Sequence, residues 1–170
     1  VSDSFTLYDW QTYVHRRPNW DEFFMMMAEL ASSRSTCDRG SYQRFRDRKG
    51  VGAVIVTPDH RSIAIGYAGS PPGAPHCDDQ GHLIRDNHCI RTVHAEENAI
   101  INATFGLRGC SLYTTTFPCY HCVRRIVSVG IKKVLYGDTY VSQADPDVRD
   151  LLSTSRLEVV HLQLCSGVKQ

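Results

Sequence analysis

The residues of this chain best equipped for chemistry fall in two short stretches. His94-Ala95-Glu96 comes first, and Pro118-Cys119-Tyr120-His121-Cys122 follows about a helix and a strand later. Together they offer one imidazole, two thiols and a carboxylate. Zinc favours tetrahedral coordination by nitrogen and sulfur. Three protein ligands (His94, Cys119 and Cys122) leave a fourth position open to water, the mark of a catalytic rather than a closed structural site. Glu96 is then free to act as a general acid and base. A structural zinc site would use the Cys-x-x-Cys pair, but it needs a fourth ligand and gives Glu96 no task. A redox dithiol accounts for the pair alone. The joint pattern favours the catalytic reading.

Local sequence supports that placement. Cys119 and Cys122 open an expected helix over 119–129, which Gly130 ends, and their spacing puts both sulfurs on one face. The positive end of a helix favours thiolates, and Pro118 just before it sacrifices no needed N–H. His94 and Glu96 begin a second helix, read over 94–105. Between the two lies the strand 112–116.

The remaining elements follow from pattern. Asn19 caps a first helix, with Glu22 as its capping-box partner. Trp20, Phe23, Phe24, Met27, Leu30 and Ala31 share one face at helical spacing and read as core. Strands are expected at 51–57 and 62–67 around a Pro58-Asp59 turn, and then at 132–137 and 157–162. A further helix is expected at 145–152, and residues 69–87 read as a long loop of the kind that is often functional. The order predicts an α/β domain whose central sheet is covered on both faces, with residues 1–170 forming one domain.

Composition narrows the function. At 42% hydrophobic and 22% charged residues, the chain is a folded globular protein. Nineteen Lys and Arg against 18 Asp and Glu give a net charge of +1, without the basic footprint of a nucleic-acid polymer binder. The longest apolar run, 23–30, is too short for a membrane span and contains Glu29. Seven cysteines with no signal-peptide pattern favour reduced thiols and a cytoplasmic location.

Beyond the metal motif, the chain resembles the deoxycytidylate (dCMP) deaminases. The likeness runs through Ser35-Thr36-Cys37, VGAVIV from Val51, GYAGSPPGAPHC from Gly66 and HCIRTVHAEENAI from His88. It continues through FPCYHC from Phe117 to GIKKVLYGDTY from Gly130. The H-x-E and P-C-x-x-C stretches match the signature of zinc deaminases acting on nucleobases. The resemblance implies a cytidine-deaminase-like, three-layer α/β/α fold with a mixed five-stranded sheet. The reaction it implies is zinc-dependent hydrolysis of dCMP to dUMP and ammonia, supplying thymidylate synthesis. Glu96 would be catalytic, and Ser70, Asn98 and Tyr140 would meet substrate.

The resemblance further implies a homohexamer regulated by dCTP and dTTP carried with Mg2+. The regulatory GYNG motif of the family reads Gly66-Tyr67-Ala68-Gly69 here, without its Asn. Residues 38–46 look like an insertion, and Arg39, Arg44 and Arg46 there could hold a triphosphate. Arg48 and Lys49 are candidate phosphate partners. Some family members carry a second, structural zinc, which here would draw on Cys37, Cys77 and Cys89 with His76, His82 or His88; His88 is the expected fourth ligand. The competing readings are a zinc deaminase acting on another base and a non-enzymatic zinc-stabilised module. Ultraviolet absorbance on mixing with dCMP separates them.

Overall fold

The computed structural model describes residues 17–39, 50–85 and 88–162. The aromatics Tyr8, Trp10 and Tyr13, the basic residues Arg44, Arg46, Arg48 and Lys49, and Cys165 lie outside these residues.

Helix α1 (Trp20–Ser32) begins at Asn19, whose side chain accepts from the Glu22 N–H while Glu22 accepts from the Asn19 N–H. Strand β1 (Gly52–Val56) is buried along its whole length, as a strand covered on both faces must be. It pairs antiparallel with β2 (Ile63–Tyr67) on one side and with β5 (Ser111–Thr116) on the other. Strands β6 (Lys133–Asp138) and β7 (Glu158–His161) then extend the sheet in parallel with β5. The order β2-β1-β5-β6-β7 is a mixed five-stranded sheet.

Helices α3 (Ala95–Asn102), α4 (Tyr120–Ser128) and α5 (Pro146–Thr154) complete the chain's major elements. Side-chain alternation sorts the layers. Phe24, Met25 and Ala28 of α1 pack on Val54, Val56, Tyr113 and Leu135. The opposite face of the sheet, with Ala53, Ile55, Leu112 and Val134, meets Ala95 and Ala99 of α3 and Ile126 of α4. Val148 of α5 joins Val123, Phe117 and Tyr136. The three-layer α/β/α expectation stands.

Three local readings change. First, α1 is rotated from its expected orientation. Phe24, Met25, Ala28 and Ala31 are buried, whereas Trp20, Phe23 and Leu30 are 51%, 40% and 60% exposed. The cause is close approach: a Cβ at Gly52 would lie 2.1 Å from the Ala28 carbonyl oxygen, so only the small-residue side of α1 fits over β1. Second, α3 ends at Asn102, where Ala103 turns to extended backbone. Third, the expected loop contains a short helix, α2 (Cys77–Gln80), and part of a ribbon of β3 (Ile84–Arg85) with β4 (His88–Cys89). Among the described residues no helix is long and apolar enough to cross a membrane.

Candidate active site

The two halves of the motif meet at the C-terminal end of β5. His94 is the N-cap of α3 and Cys119 the N-cap of α4, so two helix N-termini converge there. The His94 Nδ1 lies 3.4 Å from both the Cys119 and Cys122 sulfurs. A tetrahedral zinc with sulfur at about 2.3 Å and nitrogen at about 2.0–2.1 Å sets its N and S donors roughly 3.5 Å apart. The donor set and its spacing therefore fit zinc.

Glu96 is the second residue of α3 and is only 4% exposed. The Thr114 hydroxyl is 3.4 Å from one of its oxygens and the Cys122 thiol 3.6 Å from the other. Burial raises its pKa above the usual carboxylate range, against the pull of His94. A buried carboxylate of raised pKa beside a metal site is what proton shuttling requires.

The thiols are unequal. The hydrogen bond from Cys122, helped by His94, outweighs burial and brings Cys119 down to about 3. The hydrogen bond between His94 and Cys119 pushes His94 up to about 9. Hydrogen bonding to Cys119 and burial hold Cys122 well above its ordinary value. Without metal at neutral pH, the site thus holds a thiolate, an imidazolium and a thiol. A metal takes neutral imidazole and two thiolates, so binding expels protons from His94 and Cys122. Apparent affinity is expected to climb with pH across the neutral range, by about two powers of ten per unit for two protons. Above the His94 value of about 9 the slope falls to about one power of ten per unit, because Cys122 still carries its proton there. Competition against a chelator, corrected for the chelator's own protonation, measures this; an affinity independent of pH would refute it.

These groups open into a cleft with a cavity volume of about 80 Å³. His94, Glu96, Cys119, Thr116 and Phe117 form one wall; Cys37, Arg39, His88, Cys89 and Thr92 form another, with Ala68 and Tyr140 also lining it. The Thr116 hydroxyl is buried and has no hydrogen-bond partner among the described residues, so it is available to a ligand. Thr116 reads in sequence as one more strand residue, and nothing there signals this orientation.

The other expected site residues divide. Tyr140 lies in the cleft. Ser70 donates to the Pro75 carbonyl and is not part of the cleft lining. Asn98 donates to the carbonyls of Tyr67 and Val93, pinning α3 to β2. Gly66 serves packing, since a Cβ there would stand 2.1 Å from the Ala95 oxygen. Ala68 is buried at the cleft, and Gly69 bridges to Val93, next to His94.

A second cluster forms from Cys37, Cys77, His82 and Cys89. The Cys77 and Cys89 sulfurs are 3.5 Å apart, and the His82 Nδ1 is 3.7 Å from Cys37. Tetrahedral zinc asks for roughly 3.8 Å between sulfurs and 3.5 Å between nitrogen and sulfur. The imidazole here is His82, which corrects the expected His88. His88 instead lines the catalytic cleft and lies outside the cluster. The His82 Nε2 is 2.8 Å from Asp38, the carboxylate support that metal-binding histidines commonly have. Burial and neighbouring thiols push Cys77 up to about 12. Burial also opposes ionisation of Cys89, yet backbone N–H groups of Arg91 and Leu83 help bring it down to about 6.

Comparison with known proteins gives the same reading. The model of the cytidine and deoxycytidylate deaminase zinc-binding region matches residues 18–138. ComE operon protein 2 of Bacillus subtilis is 40% identical over 151 residues, covering 87% of this chain and 74% of that protein. Deoxycytidylate deaminase of Saccharomyces cerevisiae is 39% identical over 134 residues, covering 73% of this chain but 39% of the yeast protein. The dCMP deaminase of cyanophage S-TIM5, solved in complex with dCMP and dUMP, superposes with a TM-score of 0.65 at 31% identity. That match covers 87% of this chain and all (100%) of that one.

Proposed function

Because the chain belongs to the cytidine and deoxycytidylate deaminase zinc-binding family, we propose that it hydrolyses dCMP to dUMP and ammonia, supplying dUMP for thymidylate synthesis. The observation that carries this reading is Glu96, a buried carboxylate facing the same cleft as His94 and Cys119 of the metal-donor triad. His94, Cys119 and Cys122 hold zinc, which when bound supplies the Lewis acidity that makes water nucleophilic at neutral pH. Glu96 takes a proton from the attacking water and delivers it to N3 of the cytosine ring. It then carries the second proton to the amine leaving C4. Thr116 offers its buried hydroxyl to the substrate.

Arg39 and Tyr140 hold the 5′-phosphate; Arg39 is the one Lys or Arg among the described residues lining the cleft. The phosphate is remote from C4, so its binding energy can orient the ring. Turnover of dCMP is therefore expected to exceed that of deoxycytidine, CMP and a short single-stranded DNA at fixed zinc and salt. Fastest turnover on the nucleoside or the oligonucleotide would sink the dCMP assignment and leave the zinc chemistry standing.

The second cluster holds a structural zinc, so metal analysis is expected to find two equivalents per chain. We assign the enzyme to the cytoplasm, where its thiols stay reduced, and to a homohexamer. Exposed Ile65 and Ile101 beside the β2 edge support assembly. Activation by dCTP and inhibition by dTTP, each with Mg2+, act through Gly66–Gly69 and the basic residues Arg46, Arg48 and Lys49. The Gly69–Val93 bridge offers a path to His94. Substrate curves are expected to be sigmoidal and moved left by dCTP, because an effector works only by differential affinity for two states. Hyperbolic curves unmoved by either triphosphate would remove regulation alone.

A further inference from the structure

Strands β5, β6 and β7 run side by side in one direction, and the catalytic residues stand where β5 finishes. Where the same three strands begin, the segments leading into them enclose a cavity of about 310 Å³. Arg108 and Gly109 come before β5, Gly130 and Lys132 before β6, and Ser155 and Arg156 before β7. Small-ligand sites run from about 300 to 1,000 Å³. This cavity shares no lining residue with the catalytic cleft. The six residues of β5, at about 3.3 Å each, put roughly 20 Å between the two ends of the strand.

The charge of the cavity is one-sided. Arg108, Lys132 and Arg156 bring three cations, and no carboxylate lines it among the described residues. None of the three forms an ion pair there. The neighbouring carboxylate of Glu158 is engaged by Lys133 at 3.7 Å. Helices α4 and α5 both end at this cavity, and cations offset the negative end of a helix. Two helix ends amount together to about one negative charge, so three cations leave a surplus of roughly two. The floor is backbone. Gly109 and Gly130, at φ 82° and 80°, are joined by the Gly109 N–H donating to the Gly130 carbonyl at 2.8 Å. Arg108 is seated against this floor: a Cβ at Gly130 would stand 3.3 Å from its Cγ and 3.4 Å from its Nη1.

We propose that this cavity is an anion site, distinct from the catalytic cleft, that takes the phosphate chain of a di- or triphosphate. Two guanidinium forks and an ammonium can spread charge-assisted hydrogen bonds along several linked phosphates, which a single phosphate could not use as fully. A concave site suits a small molecule better than a polymer, and a net charge of +1 supplies no extended basic track. Free inorganic polyphosphate and a nucleoside triphosphate share this chemistry. The site does not depend on the dCMP reading, and it lies apart from Gly66–Gly69.

The test is calorimetric titration of the full zinc-loaded chain with inorganic triphosphate at low salt, with zinc content measured before and after. One triphosphate is expected to bind per chain in Arg39→Gln, whose cleft has lost its own cation. In that background Arg108→Gln, Lys132→Gln and Arg156→Gln each weaken binding about tenfold or more, the usual worth of a hydrogen bond to a charged group. All three side chains are exposed, so the variants keep the wild-type melting point. Binding also weakens as salt rises, because exposed charges are screened. A nucleoside triphosphate that binds more tightly than inorganic triphosphate makes the nucleotide the ligand; equal affinity makes it the phosphate chain alone. No binding to Arg39→Gln at millimolar triphosphate, or affinity unchanged in all three glutamine variants, would overturn the site. Either result would leave the zinc chemistry untouched.

Discussion

Glu96→Ala is expected to yield a folded, zinc-loaded protein whose turnover falls by at least about two to four powers of ten, the usual worth of a positioned proton-transfer group. The fold survives because the carboxylate is there against the interests of stability. It is buried in α3, its ionised form is disfavoured by burial, and its contact from Thr114 is long at 3.4 Å. Thr114 keeps a better acceptor in the Thr116 carbonyl at 3.1 Å. Alanine is also a strong helix former. Metal remains because His94, Cys119 and Cys122 are untouched. Parallel measurement of kcat, zinc content and thermal midpoint checks all three points. Glu96→Gln, which preserves shape and removes the acid–base function, is expected to behave alike. Near-normal turnover in a folded variant of either kind would overturn the mechanism.

Gly66→Ala is expected to be the most damaging of the small substitutions. Replacing a strand glycine normally helps. Here the added Cβ would fall 2.1 Å from the Ala95 oxygen and 2.3 Å from the Ala99 nitrogen, both backbone atoms of α3 that no rotamer change can move aside. The helix must lift, at a cost of about 1–3 kcal/mol or more. That helix carries His94 and Glu96, and a shift of about 1 Å in reacting groups is worth about a hundredfold in rate. Stability and kcat should therefore fall together.

Gly52→Ala is the internal control. Its Cβ meets the Ala28 oxygen, also at 2.1 Å, so a similar loss of stability is expected. The helix it lifts is α1, which carries no residue of the site, and the folded fraction should keep its turnover. A Gly66→Ala protein with wild-type melting and activity would show that α3 tolerates the shift.

Some of this protein was written in short-range sequence. His94, Glu96, Cys119 and Cys122 were legible through the H-x-E and P-C-x-x-C signature of zinc deaminases, each half of which lies within a few residues of chain. The Asn19–Glu22 capping box is likewise local, two side chains meeting two backbone groups within one turn. Runs such as Gly52–Val56 announced a strand buried on both faces. What the sequence could not rank were alternatives of equal local merit. Helix α1 is apolar nearly all round, so periodicity offered several faces, and the contact at Gly52 chose the one with Ala28. His82 and His88 were equally able ligands until the fold placed His82, between α2 and β3, beside the thiols and His88, in β4, at the cleft. Ser70 and Asn98 carry polar groups fit for a substrate, and only the fold shows the carbonyls they also meet, that of Pro75 for Ser70 and those of Tyr67 and Val93 for Asn98. Gly66 looked regulatory in its motif, and only the position of α3 revealed a steric duty. Sequence fixes which groups exist and their neighbours within a turn or strand; which long-range partner each one meets is decided when the layers pack.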